Sequence, residues 1–244
     1  MFTKSSVLYN KDMIYDDHLW YSPAYLIECG ERAFSEASKN GQKLPDDTIK
    51  VIEETRTGAL FALGLTVRDK AVRFIQPVDP KELAPDVRIT HQIKSPLKNY
   101  DWGEYYDVEV VRYEEHTDDK IKLADFIQQK KLDPKKKSYQ DGTIILCGID
   151  KTSGELQPWK EVAKALAPIK NNLSTFVLGR THPTEWKVAM ARVHPVYDSI
   201  TGFDVKSAIQ TYYNGVKGIQ IISVKGNVMK NQPSARFNPF TDQL

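Results

Sequence analysis

Cysteine is scarce in this chain, long apolar runs are missing and the charges nearly cancel. Cys29 and Cys147 are the only two cysteines among 244 residues, and their separation has neither metal-ligand spacing nor the density of a disulfide framework. Each lies among apolar neighbours, where a reduced thiol packs as a small hydrophobe. No stretch approaches the roughly 18 to 20 apolar residues that span a bilayer, and the opening residues Met1 to Ser6 contain no signal-peptide core. The expectation is a cytoplasmic protein with no membrane partner. A net charge of +2 is too small to announce nucleic-acid binding by itself, so any electrostatic footprint must be local. Neither a Gly-x4-Gly-Lys-Ser/Thr loop nor a Gly-x-Gly-x-x-Gly turn is present, so no nucleotide or organic cofactor is indicated. A Gly-x-Ser-x-Gly elbow is also missing, and none of the five histidines falls in a zinc-binding pattern.

What the chain does contain is the composition of a globular domain, 41% hydrophobic and 27% charged, with enough length to bury a substantial core. Ser22-Pro23 reads as an N-cap followed by proline at the first helical position, opening a helix to about Asn40. Asp46 and Asp47 open a second helix at its positive end, running through Ile49, Ile52, Leu60 and Leu63 to Gly64. The pattern then turns to short strands over 71–75, 87–93 and 105–113, rich in β-branched and aromatic residues, which suggest a meander. A helix over 123–132 ends before Asp133-Pro134. The continuously apolar run 143–149 reads as a central strand covered on both faces. Helices over 157–169 and 205–213 alternate with strands over 174–178, 186–193 and 219–224. The fold expected is therefore α/β, a mixed sheet with helices packed on it and N-terminal helices preceding the strands, as one domain over 1–226. Residues 227–244 read as an extended tail whose Phe237 and Phe240 suit docking into a protein partner or a second copy of the chain.

The acids of the meander carry the chemistry. Pro85-Asp86 opens one strand and Asp107-Val108-Glu109 lies within the next, where Asp107 and Glu109 share a face because strand side chains alternate. If Asp86 falls on the neighbouring strand, Asp86, Asp107 and Glu109 offer a hard divalent cation such as Mg²⁺ the oxygen ligands it requires. A helix carboxylate, Glu28 or Glu54, is a candidate to complete that set through water. Acids alternating on a half-exposed strand also describe an ordinary solvated sheet face. The basic stretch Lys130-Lys131 and Lys135-Lys136-Lys137 reads either as a nucleic-acid-binding track along a phosphate backbone or as a solvated loop. Tyr105-Tyr106 and Tyr212-Tyr213 are candidates for stacking on bases.

Over roughly residues 23–149, the order of helix, three strands, helix and apolar strand, with Pro85-Asp86 and Asp107-Val108-Glu109 in place, resembles the PD-(D/E)xK nuclease superfamily. That resemblance implies a metal-dependent hydrolase of phosphodiester bonds in which Asp86 and Asp107 bind the cation. The family's lysine position is occupied here by Glu109, which becomes a further ligand or the general base, and Lys94 is a substitute for the missing lysine. The alternative expectation is a non-catalytic nucleic-acid-binding or assembly subunit of a larger nucleoprotein or phage complex, in which the lysines and the tail matter and the acids are incidental.

Overall fold

The first two helices form where their start signals fall. Helix α1 spans Pro23–Lys39, and the Ser22 hydroxyl accepts the Tyr25 N–H at 3.0 Å, satisfying one of the donors a helix start leaves without an intrahelical partner. Helix α2, Asp46–Asp69, has both aspartates in its first turn and ends on Lys70 in the left-handed region. The computed structural model describes residues 19–78, 85–94, 101–114, 116–118, 120–133, 139–140, 142–150, 157–171, 173–182, 184–216, 221–223 and 228–230, with the backbone alone for 91–94, 101–104, 221–223 and 228–230.

The remaining elements build one mixed sheet. Strands β1 (Leu19–Tyr21), β2 (Arg73–Pro77), β3 (Val87–Lys94) and β4 (Asp101–Tyr113) are followed by a short helix α3 (Leu123–Ile127) that runs into a π-turn, Gln128–Leu132. Strand β5 (Ile144–Ile149), helix α4 (Trp159–Leu166), strands β6 (Ser174–Arg180), β7 (Lys187–His194) and β8 (Thr201–Asp204), helix α5 (Val205–Gly215) and strands β9 (Ile221–Ser223) and β10 (Val228–Lys230) complete it. The strand order is β8-β7-β6-β5-β4-β3-β2-β1-β9, with β10 against β4 off this path. The expected meander is present as antiparallel β2-β3-β4. Strand β5 lies parallel to both β4 and β6, and all six of its residues are buried, as its unbroken apolar run requires.

Two apolar layers cover the sheet. On one face α1, α2 and α5 pack against residues such as Ile75, Val108, Leu146 and Phe176; on the other, α3 and α4 cover Ile145, Cys147, Val177 and Ala191. Helix α2 lies unusually close to the strands. A Cβ on Gly58 would come within 2.8 Å of Val87 Cγ2, and one on Gly64 within 2.8 Å of Met190 Sδ, so glycine at both positions is what permits the approach. The expected tail departs from its reading in one respect: Val228–Lys230 pairs in parallel with Gly103 to Tyr105 of β4. Phe237 and Phe240 lie outside the described residues. Strands β1 and β8 were not expected, being too short to show a period.

Candidate active site

Strand β4 is thirteen residues long and outruns its neighbour. Strand β3 pairs with β4 from Lys94 opposite Asp101 to Val87 opposite Val108, and then its chain arrives from Pro85. The Asp86 N–H still donates to the Val108 carbonyl at 3.1 Å. At the next rung the Asp86 side chain takes over from the backbone, its Oδ2 accepting the Val110 N–H at 2.6 Å. Asp86 is thereby fixed in a notch at the point where β3 stops and β4 continues beside β5.

Glu109 lies between those two bonded residues of β4 and points to the face covered by α3 and the π-turn. It is 1% exposed, and a carboxylate so placed needs a partner. Lys131 supplies one, with Nζ 2.6 Å from Glu109 Oε2 and 3.8 Å from Asp86 Oδ2. A π-turn carries an extra residue relative to the α-helix, and here Lys131 and Leu132, consecutive in sequence, are both buried. Lys131 is therefore no part of a solvated basic run, which corrects that expectation: its ammonium is bonded to Glu109 and paired at longer range with Asp86.

From the opposite face α2 brings Glu54 to the same edge. The neighbouring Glu53 is bonded to Arg112 of β4, which also holds Glu114 and Asp150, so this turn of α2 is tied to the strand that carries Glu109. Burial, and then the Asp86 charge, push the Glu54 carboxyl up to about 7; Lys50, 3.7 Å from it, and Lys131 oppose the rise. Asp86 is raised by burial and by Glu109, against the pull of Lys131 and the Val110 N–H. The Tyr139 phenol is raised by burial and then by Glu109 and Asp86, which places it beside the same pair. Asp86 and Glu109 thus share one partly buried notch with Lys131, and Glu54, paired with Lys50, lies near enough to feel their charges. Among the described residues no group of three or more His, Cys, Asp or Glu side chains is placed to hold a metal ion.

The remaining sequence candidates lie elsewhere. Asp107 shares a face with Glu109 but sits opposite Arg88, with Arg88 Nε 3.5 Å from its Oδ1. Glu28 accepts the Tyr213 hydroxyl on α1. Lys94 closes the far end of β3 opposite Asp101; eight residues at about 3.3 Å each put its backbone about 26 Å from that of Asp86, too far to replace a lysine beside it. Lys130 is exposed, its Nζ 6.0 Å from the Phe126 ring centre. Lys135, Lys136 and Lys137 lie outside the described residues. Lys131 and Tyr139 are the site residues whose role the sequence reading missed, and the only signal available was a lysine and a tyrosine close behind a helix on the strand-helix-strand crossover. Comparison with protein-family models, with curated proteins and with solved structures found no match to this chain.

Proposed function

We propose that this chain is a metal-dependent nuclease, with Asp86 and Glu109 as the cation ligands, Glu54 as the proton acceptor and Lys131 as the residue that orients the attacking water. The observation that carries the reading is the meeting of two acids, Asp86 and Glu109, on one buried lysine, with the raised Glu54 carboxyl close enough to feel their charges. An arrangement kept only for stability has no use for unbalanced buried charge, which destabilises the fold. A Mg²⁺ ion held there would supply positive charge to the phosphoryl oxygens and the leaving oxygen.

The chain's own groups account for the rest. Lys131, fixed by Glu109, directs an N–H donor at the space beside Asp86 where a water can be held. Glu54, with its carboxyl near 7, is partly ionised at neutral pH and so matched to accepting the proton that water loses. The new bond joins the water oxygen to phosphorus; the bond to the sugar oxygen breaks, and the leaving oxygen takes a proton from solvent. The Asp86 bond to the Val110 N–H holds one ligand rigid, so little reorganisation accompanies the reaction.

The test is incubation of the purified protein with linear and circular DNA and with single-stranded RNA in Mg²⁺, Mn²⁺ or EDTA. The expected result is cation-dependent cleavage that falls at least a hundredfold in Asp86→Asn and Glu109→Gln. Absence of cleavage with every substrate and cation would overturn the reading. Retarded bands on the same gels without cleavage would favour the non-catalytic nucleic-acid-binding subunit.

A further inference from the structure

The face of the sheet that carries Glu109 changes character at β4. Beyond it, toward β7, that face is apolar and covered by α3 and α4. On the other side, Gln76 of β2 lies opposite Arg88 of β3, which lies opposite Asp107 of β4. In the next row Thr90 lies opposite Tyr105. Arg88 is oriented from three sides: Nε is 3.5 Å from Asp107 Oδ1, Nη1 is 3.4 Å from Gln76 Oε1, and the guanidinium carbon stands 5.9 Å from the centre of the Tyr105 ring. Trp20 leans against the same ring, centroids 6.1 Å apart and planes at 53°. The Arg88 side chain is 29% exposed, and Tyr105 is half-buried.

Gln76, Thr90 and Asp107 are each under a tenth exposed, and burying polar groups is costly unless they are bonded. Gln76 and Asp107 hold Arg88 two residues along the strand from Asp86, about 7 Å away, on the same side as the notch, and the Tyr105 ring beside it lies two residues further on. A planar guanidinium with five donors is suited to a phosphate even while an acid orients it, and an aromatic ring tilted against its neighbour is suited to stacking on an unpaired base.

We propose that Arg88 and Tyr105 form the subsite for the nucleotide next to the scissile phosphate, so that the substrate is single-stranded or frayed nucleic acid, DNA or RNA. This assignment rests on the nuclease reading for what happens in the notch, but the subsite binds without it. Arg88 takes the neighbouring phosphate, Tyr105 stacks on the base, and Asp107 is a positioning residue that sets the Arg88 fork rather than a cation ligand.

The test is fluorescence anisotropy in EDTA, where cleavage is silent, using labelled single-stranded deoxythymidine and uridine oligonucleotides and a blunt duplex across a salt series. The intact chain is expected to prefer the single strands. Arg88→Ala weakens that binding about tenfold and lowers the slope of log affinity against log salt by about 0.7, the loss of one phosphate contact. Tyr105→Ala weakens it about tenfold without changing the slope, while Tyr105→Phe binds normally. Asp107→Asn weakens binding a few-fold. In Mg²⁺ it keeps kcat within a few-fold and raises KM, whereas a lost cation ligand would collapse kcat. Equal affinity and slope in Arg88→Ala, or equal affinity in Tyr105→Ala and the intact chain, overturns the subsite; if one alanine variant fails to fold, the other decides. A chain that binds as expected in EDTA but cleaves nothing in Mg²⁺ sinks the nuclease reading alone, and one that cleaves with unaltered binding in both variants sinks the subsite alone.

Discussion

On one face of a single sheet, Ile145 of β5 lies directly opposite Glu109 of β4, and the two belong to different worlds. Ile145 is part of an apolar layer sealed by α3 and α4, whereas Glu109 faces Lys131 and begins the polar row that continues through Asp107, Arg88 and Gln76. One hydrogen-bonded strand step separates core from site. The apolar half supplies rigidity, because its side chains interlock at crystal-like density, and the polar half draws on that rigidity to hold charges that would otherwise disperse. A site built on the flank of a core needs no separate scaffold.

Three measurements bear on that contrast. Lys131→Met strips the partner from a buried acid, and removing one member of such a pair costs about 3–5 kcal/mol. Adding Glu109→Leu should recover most of the loss in urea denaturation, since an apolar pair extends the β5 layer by one strand. Strict additivity of the two changes would mean that the pair is not coupled and the boundary lies elsewhere. Ile145→Ala, on the apolar side, is expected to cost about 2–5 kcal/mol while leaving the response to Mg²⁺ unchanged; a cation response altered as much as in Glu109→Gln would erase the distinction between the halves. Glu54→Gln has the most particular effect. Because the folded chain raises this carboxyl from 4.5 to about 7, it holds a proton there that the unfolded chain releases. Stability therefore falls as pH rises through that window and stays lower above it, by about 3 kcal/mol. The glutamine variant should melt higher than the intact chain at pH 8 and equally at pH 4, and Mg²⁺ should narrow the gap at pH 8. A gap independent of pH would show that Glu54 does not carry the charge assigned to it.

The order of elements was legible because each has a local cause: the Ser22 cap and Pro23, the paired aspartates of α2, the alternation in β3 and β4, the apolar run of β5. Strand parity also placed Asp107 and Glu109 on one face. What separates them is where β3 ends against β4, and register is a property of two segments that neither reveals alone. The same holds for Lys131, which turns inward through a π-turn that no 3.6-residue pattern discloses, and for Glu54, one of two helix acids, which required the height at which α2 crosses the sheet. The three-residue strands β1 and β10 owe their pairing to neighbours far away in sequence, which is why composition left no trace of them.

The bond between the Asp86 carboxylate and the Val110 N–H has one more consequence. A hairpin that slides carries every side chain to a different neighbour, and a backbone ladder is indifferent to which residues it joins. The side-chain rung is not indifferent: it needs an acceptor side chain directly before the first residue of β3, and it closes in the alignment that also sets Asp86 beside Lys131 and Glu109. The meander thus carries its own check on alignment, and a chain that closes this rung has assembled its site in the same act.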